Sequence, residues 1–353
     1  MKILKFVACW TGPVLVLFGM AYWLKSSAEL PFPLSIILPA IGVLITLIAW
    51  WLTRNRHRRT SSGFLLSCVI LGALFCGWQY WGQARSYREI TIHFNSRDAQ
   101  LTGTLFLPNT AGKVPGIVMV HGSGPLRRWI YKLFGADHFA RAGFAVLTYD
   151  KRGIGDSSGH YEGPCNTCPD NLELLANDAS AALSFLAARP EVDAVEVGYW
   201  GTSQAGWIVP KAAVKNGHAA FMLLITAPTT TVHQNMRYER FTGTPVTLPQ
   251  GSPTPDEAEV LAARANQQFA FPDTDPALDL QRLNIPGLWI MADRDGMVPP
   301  GRSIGVLKDL IALGKPYEYL IIPGAGHGVA VSGEPRQQYW KAVDAWLARV
   351  TKR

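Results

Sequence analysis

Acidic residues are almost absent from the first quarter of the chain. Residues 1–88 contain nine Lys and Arg residues but a single carboxylate, Glu29. Removing these from the totals of 33 basic and 26 acidic residues leaves 24 and 25 in residues 89–353. The net charge of +7 therefore belongs to the N-terminal region, and no basic stripe with interleaved aromatic residues follows it. This distribution argues against nucleic-acid binding.

Charged residues are also missing from three long apolar runs, residues 6–24, 30–52 and 63–84. A membrane-spanning helix needs about 20 apolar residues, and Trp and Tyr cluster at the ends of these runs as they do at membrane interfaces. We therefore predict three transmembrane helices within residues 1–87. A cleaved signal peptide is the alternative for the first run, because a short basic segment precedes it and small residues follow it.

The arginines of the N-terminal region predict how it is oriented. Arg54, Arg56, Arg58 and Arg59 crowd the connection between the second and third runs. Positively charged loops stay in the cytoplasm, so three crossings leave residues 85–353 on the other side. The signal-peptide alternative gives the same side. We therefore expect a multi-pass protein of the cell membrane, with the lipid bilayer as a partner and its C-terminal domain extracytoplasmic.

Cysteine is scarce, with five residues in 353. Cys9, Cys68 and Cys76 lie in the apolar runs, where they serve as small apolar side chains. Cys165 and Cys168 form one C-x-x-C in a loop, and the lack of a second pair argues against zinc. A thioredoxin-like redox motif would start a helix after a strand. An external domain favours a structural disulfide between Cys165 and Cys168 instead.

Residues 88–353 alternate between strand and helix patterns. A hairpin is predicted within residues 88–107, and buried strands at residues 115–120, 144–149, 221–227, 287–292 and 317–322. Helical periodicity marks residues 137–143, 171–189, 300–313 and 337–350. Such alternation predicts an α/β domain with a mostly parallel sheet. Residues 228–284 break the rhythm with Thr, Pro and Gln, and their one helical stretch, residues 255–269, suggests an inserted lid.

The stretch at residues 197–210 has the sequence of a short strand, a tight turn and a helix. Ser203 lies at the turn, with small residues Gly201, Ala205 and Gly206 around it. A sharp strand-to-helix elbow needs small neighbours, because bulky side chains would collide where the helix folds back. The usual pattern is G-x-S-x-G, and here Ala205 takes the place of the second glycine. The helix start would put backbone N–H groups beside a developing oxyanion.

Other chemically active side chains also follow predicted strands. Asp293 and Asp295 follow one strand, His327 follows the last, and His121 follows an early one. Functional groups gather at the carboxyl ends of parallel strands. A serine becomes a nucleophile when a histidine takes its proton and a carboxylate orients that histidine. The order Ser203, Asp, His327 supplies all three groups, although either aspartate could instead cap the next helix.

These stretches together resemble the α/β-hydrolase superfamily over about residues 88–353. Within it, the chain is most similar to serine esterases and peptidase-like hydrolases. The motifs that carry the resemblance are the elbow at 201–206, H-G-S-G-P at 121–125, D-x-R-G-x-G-x-S-x-G at 150–159, D-G-M-V-P at 295–299 and G-H-G at 326–328.

The resemblance implies a role for each site residue. Ser203 would be the nucleophile, His327 the base and Asp295 the orienting acid. The oxyanion hole would use the backbone N–H groups of Gln204 and Ser123.

The resemblance also separates catalytic residues from structural ones. Asp295 is preferred to Asp293, because the acid of the family precedes the V-P pair by three residues. His121, Asp150 and Arg152 are expected to brace their loops rather than to react.

These features predict a membrane-anchored serine hydrolase that cleaves an ester, an amide or a thioester through an acyl-enzyme. The substrate would be a small molecule or a peptide, and no metal or organic cofactor is implied. One alternative is an acyltransferase that uses the same triad, and another is an inactive membrane scaffold of the same fold. The intact triad argues against the scaffold. The insertion at 228–284 and the loop at 126–134 are expected to shape the pocket.

Overall fold

The computed structural model describes residues 86–249, 252–329 and 333–352. The chain divides into two units, Met1–Arg88 and Glu89–Arg353, and nearly all described residues belong to the second. The three predicted membrane runs lie outside the described residues. Within the ranges just given, no helix has the length and apolar character that a membrane crossing requires.

In the described part of the chain, eight strands form one sheet in the order β1-β2-β4-β3-β5-β6-β7-β8. The strands are β1 Tyr87–Ser96, β2 Ala99–Pro108, β3 Val114–Val120, β4 Ala145–Tyr149, β5 Val192–Thr202, β6 Met222–Ile225, β7 Gly287–Ala292 and β8 Tyr317–Ile322. β2 pairs with β4 in the antiparallel sense, and the pairings from β4 through β3 to β8 are parallel. Every residue of β3, β4, β6 and β7 is buried, as expected for parallel strands covered on both faces.

Helices follow the strands and cover the sheet. They are α1 Ile130–Leu133, α2 Ala136–Arg141, α3 Pro169–Ala187, α4 Ala205–Asn216, α5 Val232–Thr242, α6 Pro255–Arg264, α7 Pro276–Arg282, α8 Pro300–Ala312 and α9 Gly333–Val350. Two neighbours on β5 show that both faces are covered. The Tyr199 hydroxyl donates to the Ala179 carbonyl of α3 (3.3 Å), while Trp200 Nε1 donates to the Tyr339 hydroxyl of α9 (2.9 Å). The predicted mostly parallel sheet with flanking helices is confirmed.

The segment at 228–284 differs from its prediction. Its described residues form three helices rather than one, and α6 ends at Arg264 because Ala265 is extended. A capping box of Thr231 and Gln234 begins α5, and an Asp275 cap begins α7. Leu280 of α7 is wholly buried in the main core, so α7 covers the sheet and is not part of a lid.

The rest of the described segment packs partly in the main core, where Val232 of α5 is wholly buried, and partly in a small second cluster. Tyr238 of α5 packs with Ala258 and Ala262 of α6 in a second apolar cluster, with Phe241 beside it. We call residues 231–264 the insertion.

Candidate active site

Ser203 occupies a strained turn between β5 and α4. Its φ angle is +56°, a left-handed conformation that non-glycine residues seldom adopt. Such a conformation costs on the order of 1–3 kcal/mol and persists only where its surroundings fix it. The Ser203 N–H donates to the Ile225 carbonyl (3.1 Å), and its carbonyl accepts from the Gly206 N–H (2.9 Å). These bonds hold the side chain at the carboxyl edge of the sheet.

The small residues around Ser203 are required by close packing. A Cβ atom added at Gly201 would lie 2.6 Å from the Cβ of Ala205, and one added at Gly206 would collide with the Pro228 backbone. Ala205 thus fits because Gly201 leaves room for its methyl group. This explains how the elbow accommodates alanine where its usual pattern has glycine.

His327 and Asp295 contact each other directly. His327 Nδ1 lies 2.8 Å from Oδ2 of Asp295, whose side chain is wholly buried. A carboxylate can only accept, so Nδ1 carries the proton and Nε2 keeps its lone pair for a base. The other oxygen of Asp295 accepts the N–H groups of Met297 (2.8 Å) and Val298 (3.0 Å). Asp293 is exposed, and Asp295 alone of the two bonds to His327.

Two consecutive residues at the end of β6 connect Ser203 with His327. The Ile225 carbonyl accepts from Ser203, and the Thr226 hydroxyl donates to the His327 carbonyl (3.1 Å). Thr226 is itself in the left-handed region, with φ at +43°, and its N–H donates to the Ile290 carbonyl (2.8 Å). Thr226 was missed from the sequence because it looked like the continuation of an apolar strand.

Helix α5 braces the turn that carries Asp295. Three side chains, those of Asn235, Tyr238 and Thr242, donate to the carbonyls of residues 297, 295 and 296 at 3.1, 2.5 and 2.6 Å. Their spacing of three and four residues puts them on one face of the helix. Sequence reasoning missed this role, because polar residues on a helix face give no apolar periodicity.

A second carboxylate, that of Glu239 on α5, lies near the His327–Asp295 pair. Asn235 Nδ2 donates to its Oε1 (2.9 Å). Burial raises the pKa of Glu239 to about 7, and the nearby Asp295 adds to this rise, whereas His327 and Asn235 oppose it. The carboxyl group therefore changes charge near neutral pH.

The loop after β3 runs past the serine. A Cβ atom added at Gly122 would lie 3.4 Å from the Cβ of Ser203. Ser123 is exposed, and within the described part of the chain neither its N–H nor that of Gln204 donates to an acceptor. Both N–H groups are thus free to bind a ligand oxygen.

His121 has a structural environment. It is buried, and its Nε2–H donates to the Tyr149 carbonyl (2.5 Å), which joins the ends of β3 and β4. Burial, aided by the charge of Lys151, lowers the pKa of His121 to about 3, so the ring is neutral. Arg152 likewise forms a bidentate pair with Asp178 of α3, at 2.8 and 2.9 Å.

Cys165 and Cys168 form a disulfide in the loop before α3, with their Cα atoms 5.1 Å apart. The Asn166 carbonyl inside this short ring accepts from Gln204 Nε2 (2.6 Å) and from Asn171 Nδ2 (2.7 Å). The disulfide loop therefore contacts the residue that follows Ser203. No cluster of His, Cys, Asp or Glu suited to a metal occurs among the residues described.

Comparison with known proteins places this geometry in context. The sequence pattern of the prolyl oligopeptidase family (Peptidase S9) matches residues 129–353. The chain is 31% identical over 134 residues to the quorum-quenching protein AidA of Acinetobacter baumannii (strain MDR-ZJ06). That match covers 38% of this chain and 42% of AidA, so the chain spans less than half the length of this relative.

Two solved structures share the fold. An acylaminoacyl peptidase of Pyrococcus horikoshii superposes with a TM-score of 0.59 at 18% identity, over 78% of this chain and 44% of the peptidase. An esterase of Pyrococcus furiosus superposes with a TM-score of 0.55 at 15% identity, over 76% of this chain and 92% of the esterase. At these identities the likeness is one of fold.

Proposed function

Because this chain belongs to the prolyl oligopeptidase family, within the α/β-hydrolase superfamily, we propose that it is a serine hydrolase whose catalytic triad is Ser203, His327 and Asp295. The observation that carries the proposal is the 2.8 Å hydrogen bond from His327 Nδ1 to the buried Asp295, in a loop that is connected through Ile225 and Thr226 to the strained Ser203 elbow. Because Nδ1 donates to Asp295, the neutral ring has its lone pair on Nε2, where it can take the serine proton.

The reaction then has two steps. His327 Nε2 removes the hydroxyl proton as Ser203 Oγ bonds to the acyl carbon, and the leaving group departs with that proton. Water attacks the acyl-enzyme in the second step, again assisted by His327, and the acid is released from Ser203. The backbone N–H groups of Gln204 and Ser123 would bind the negatively charged oxygen in both steps, and one such donor is worth about 100-fold to 1000-fold in kcat.

We propose a carboxylic ester as the substrate, with an amide or thioester as the other acyl bonds that the same chemistry cleaves. An esterase and a peptidase are both among the similar structures. The loop after Ser123 carries exposed Arg127 and Trp129, the latter 63% exposed, and offers apolar and cationic contacts to a small-molecule or peptide acyl chain.

We also propose that residues 1–87 anchor the enzyme in a membrane and that the hydrolase domain acts outside the cytoplasm. Two observations support this location. The arginines at 54–59 favour a cytoplasmic loop between the second and third apolar runs. The Cys165–Cys168 disulfide is typical of an oxidising compartment.

An active-site label tests the proposed triad, and a series of substrates tests which type of acyl bond the enzyme cleaves. Purified full-length protein should react with a fluorophosphonate probe at Ser203 and at no other serine, as read by peptide mass spectrometry. It should hydrolyse p-nitrophenyl esters of one preferred chain length faster than aminoacyl anilides. Label on another serine, or none, would refute the triad, whereas faster cleavage of anilides would make the enzyme a peptidase.

A further inference from the structure

Lys151 is a buried lysine that the proposed reaction does not use. It follows β4 directly, and only 1% of it is exposed. Its Nζ donates to the Gly122 carbonyl (2.8 Å) and to Oε1 of the Gln204 side chain (3.1 Å). Buried lysines are rare unless they are paired, so these two bonds point to a specific role.

The bond to Gly122 fixes one of the two proposed oxyanion donors. The Gly122 carbonyl and the Ser123 N–H belong to the same peptide group. Because a trans peptide is planar, its C=O and N–H point in opposite directions. A donor that holds the carbonyl on one side therefore sets the direction of the N–H on the other. The bond also polarises the amide, which strengthens it as a donor.

The bond to Gln204 reaches the second proposed donor. The backbone N–H of Gln204 is that donor, and both polar atoms of the Gln204 side-chain amide are hydrogen-bonded. Lys151 donates to Oε1, while Nε2 donates to the Asn166 carbonyl (2.6 Å). Gln204 is 1% exposed, so no water competes freely for this amide.

The far end of this series of bonds is anchored by the disulfide. Asn166 lies between Cys165 and Cys168, and the Cys168 N–H donates to the Cys165 carbonyl (3.0 Å). Asn171 of α3 donates to the same Asn166 carbonyl (2.7 Å). The carbonyl that orients Gln204 therefore belongs to a closed ring.

We propose that Lys151 is a positioning residue that aims both oxyanion donors, through Gly122 on one side and through Gln204 and the disulfide loop on the other. This inference rests on the proposed function, since it concerns the donors of the same site. Burial lowers the pKa of Lys151 to about 7. A neutral amine retains two N–H donors, so both bonds persist whether or not Nζ is charged.

The test compares Lys151→Met with wild-type enzyme on the best ester substrate. A misaimed donor weakens binding of the transition state and not of the ground state. We expect kcat to fall about 10-fold to 100-fold, less than the loss of a whole donor, with KM within about threefold. Affinity for a trifluoromethyl ketone, which forms an oxyanion adduct, should fall with kcat. Affinity for an unreactive ether of the same chain length should stay constant.

Three further variants keep the test decisive. Lys308→Met alters an exposed lysine of α8 and should match wild type throughout. Gln204→Met and the double variant Cys165→Ser with Cys168→Ser should reproduce the selective fall in kcat, each measured on protein with a cooperative melting transition. If Lys151→Met does not fold, the Gln204→Met variant and the double cysteine variant test the proposal in its place.

Two outcomes are distinguishable. A wild-type enzyme that labels at Ser203 and turns over, together with folded variants whose kcat is within twofold of wild type, overturns this inference alone. A wild-type enzyme with no label and no turnover overturns the proposed function, and this inference with it.

Discussion

At the scale of single residues, strain and close packing mark the proposed site. Ser203 and Thr226 are both in the left-handed region, at the ends of the adjacent strands β5 and β6. Ser203 bonds to Ile225 at the end of β6, and Thr226 bonds to the His327 carbonyl, so together they connect the serine to the His327 loop. Strain of this kind persists only where the surroundings fix it, and the glycines beside Ser203, which have no room for a side chain, belong to that close packing.

Ser203→Ala should abolish turnover and leave the fold intact. Removal of a triad nucleophile costs on the order of a million-fold in kcat. Turnover of the best ester and the melting temperature, measured on the same preparation, check both halves. Ser184→Ala, an exposed serine of α3, is the matched control and should be fully active. Turnover of Ser203→Ala within tenfold of wild type would remove Ser203 from the mechanism.

Asp295→Asn should lose far more activity than Asp293→Asn. The Asp295 carboxylate bonds to His327 Nδ1, whereas Asp293 is exposed. Neutralising an acid that orients the histidine costs about ten-thousand-fold in kcat, because the histidine then adopts the wrong tautomer. The two kcat values, compared at one pH, decide the matter. The reverse ranking would assign the acid to Asp293.

At the scale of elements, the structure shows why some parts could be predicted and others could not. The bounds of β7 and β8 match their predictions, because short, apolar-rich strand patterns stand out between turn residues. The preference for Asp295 over Asp293 came from the family resemblance, through its spacing to the V-P pair, and the turn at Asp295 is local, with Oδ1 bound to the N–H groups two and three residues ahead. Helix α5 was missed because its inward face carries Asn235, Tyr238 and Thr242 rather than aliphatic residues. The bond from Thr226 to His327 spans 101 residues, and no sequence pattern records it.

Helix α5 should also make stability depend on pH. Burial raises the pKa of Glu239 from its ordinary 4.5 to about 7, so the folded chain binds this proton more tightly than the unfolded chain does. Stability is therefore lost as pH rises from 4.5 to 7, and the loss is complete above 7. Glu239→Gln should gain about 1–3 kcal/mol relative to wild type between pH 4 and pH 8, as measured by urea unfolding.

A second glutamate gives the control of opposite sign. Glu257 accepts bonds from Thr254 at the start of α6, and these bonds lower its pKa. Its contribution is present above the ordinary pKa and is lost as pH falls, so Glu257→Gln should become less stable relative to wild type as pH rises. If Glu239→Gln followed the trend of Glu257→Gln, the raised pKa of Glu239 would be refuted.

At the scale of the whole molecule, charge asymmetry predicts topology. A single carboxylate among the first 88 residues and four arginines at 54–59 favour a cytoplasmic loop there. Alkaline phosphatase fused after Arg353 should be active, and a fluorescent protein that folds only in the cytoplasm should be dark at the same point. Fusions after Thr60 should give the reverse pattern. Active phosphatase fused after Thr60, together with inactive phosphatase fused after Arg353, would show that the orientation is the reverse of the one proposed.

The insertion bonds to both the acid and the base of the proposed triad, through α5 and through Val246. Its three side chains hold the carbonyls of residues 295–297, and the Val246 carbonyl accepts the His327 N–H (2.5 Å). A displacement of α5 would break its three bonds to the turn that carries Asp295, and a displacement of Val246 would release the His327 backbone. The orientation of the proposed acid and base therefore depends on the position of the insertion. Hydrogen exchange at Met297 and Val298 should then rise and fall in step with that of α5. Independent exchange would show that the turn carrying Asp295 does not depend on α5.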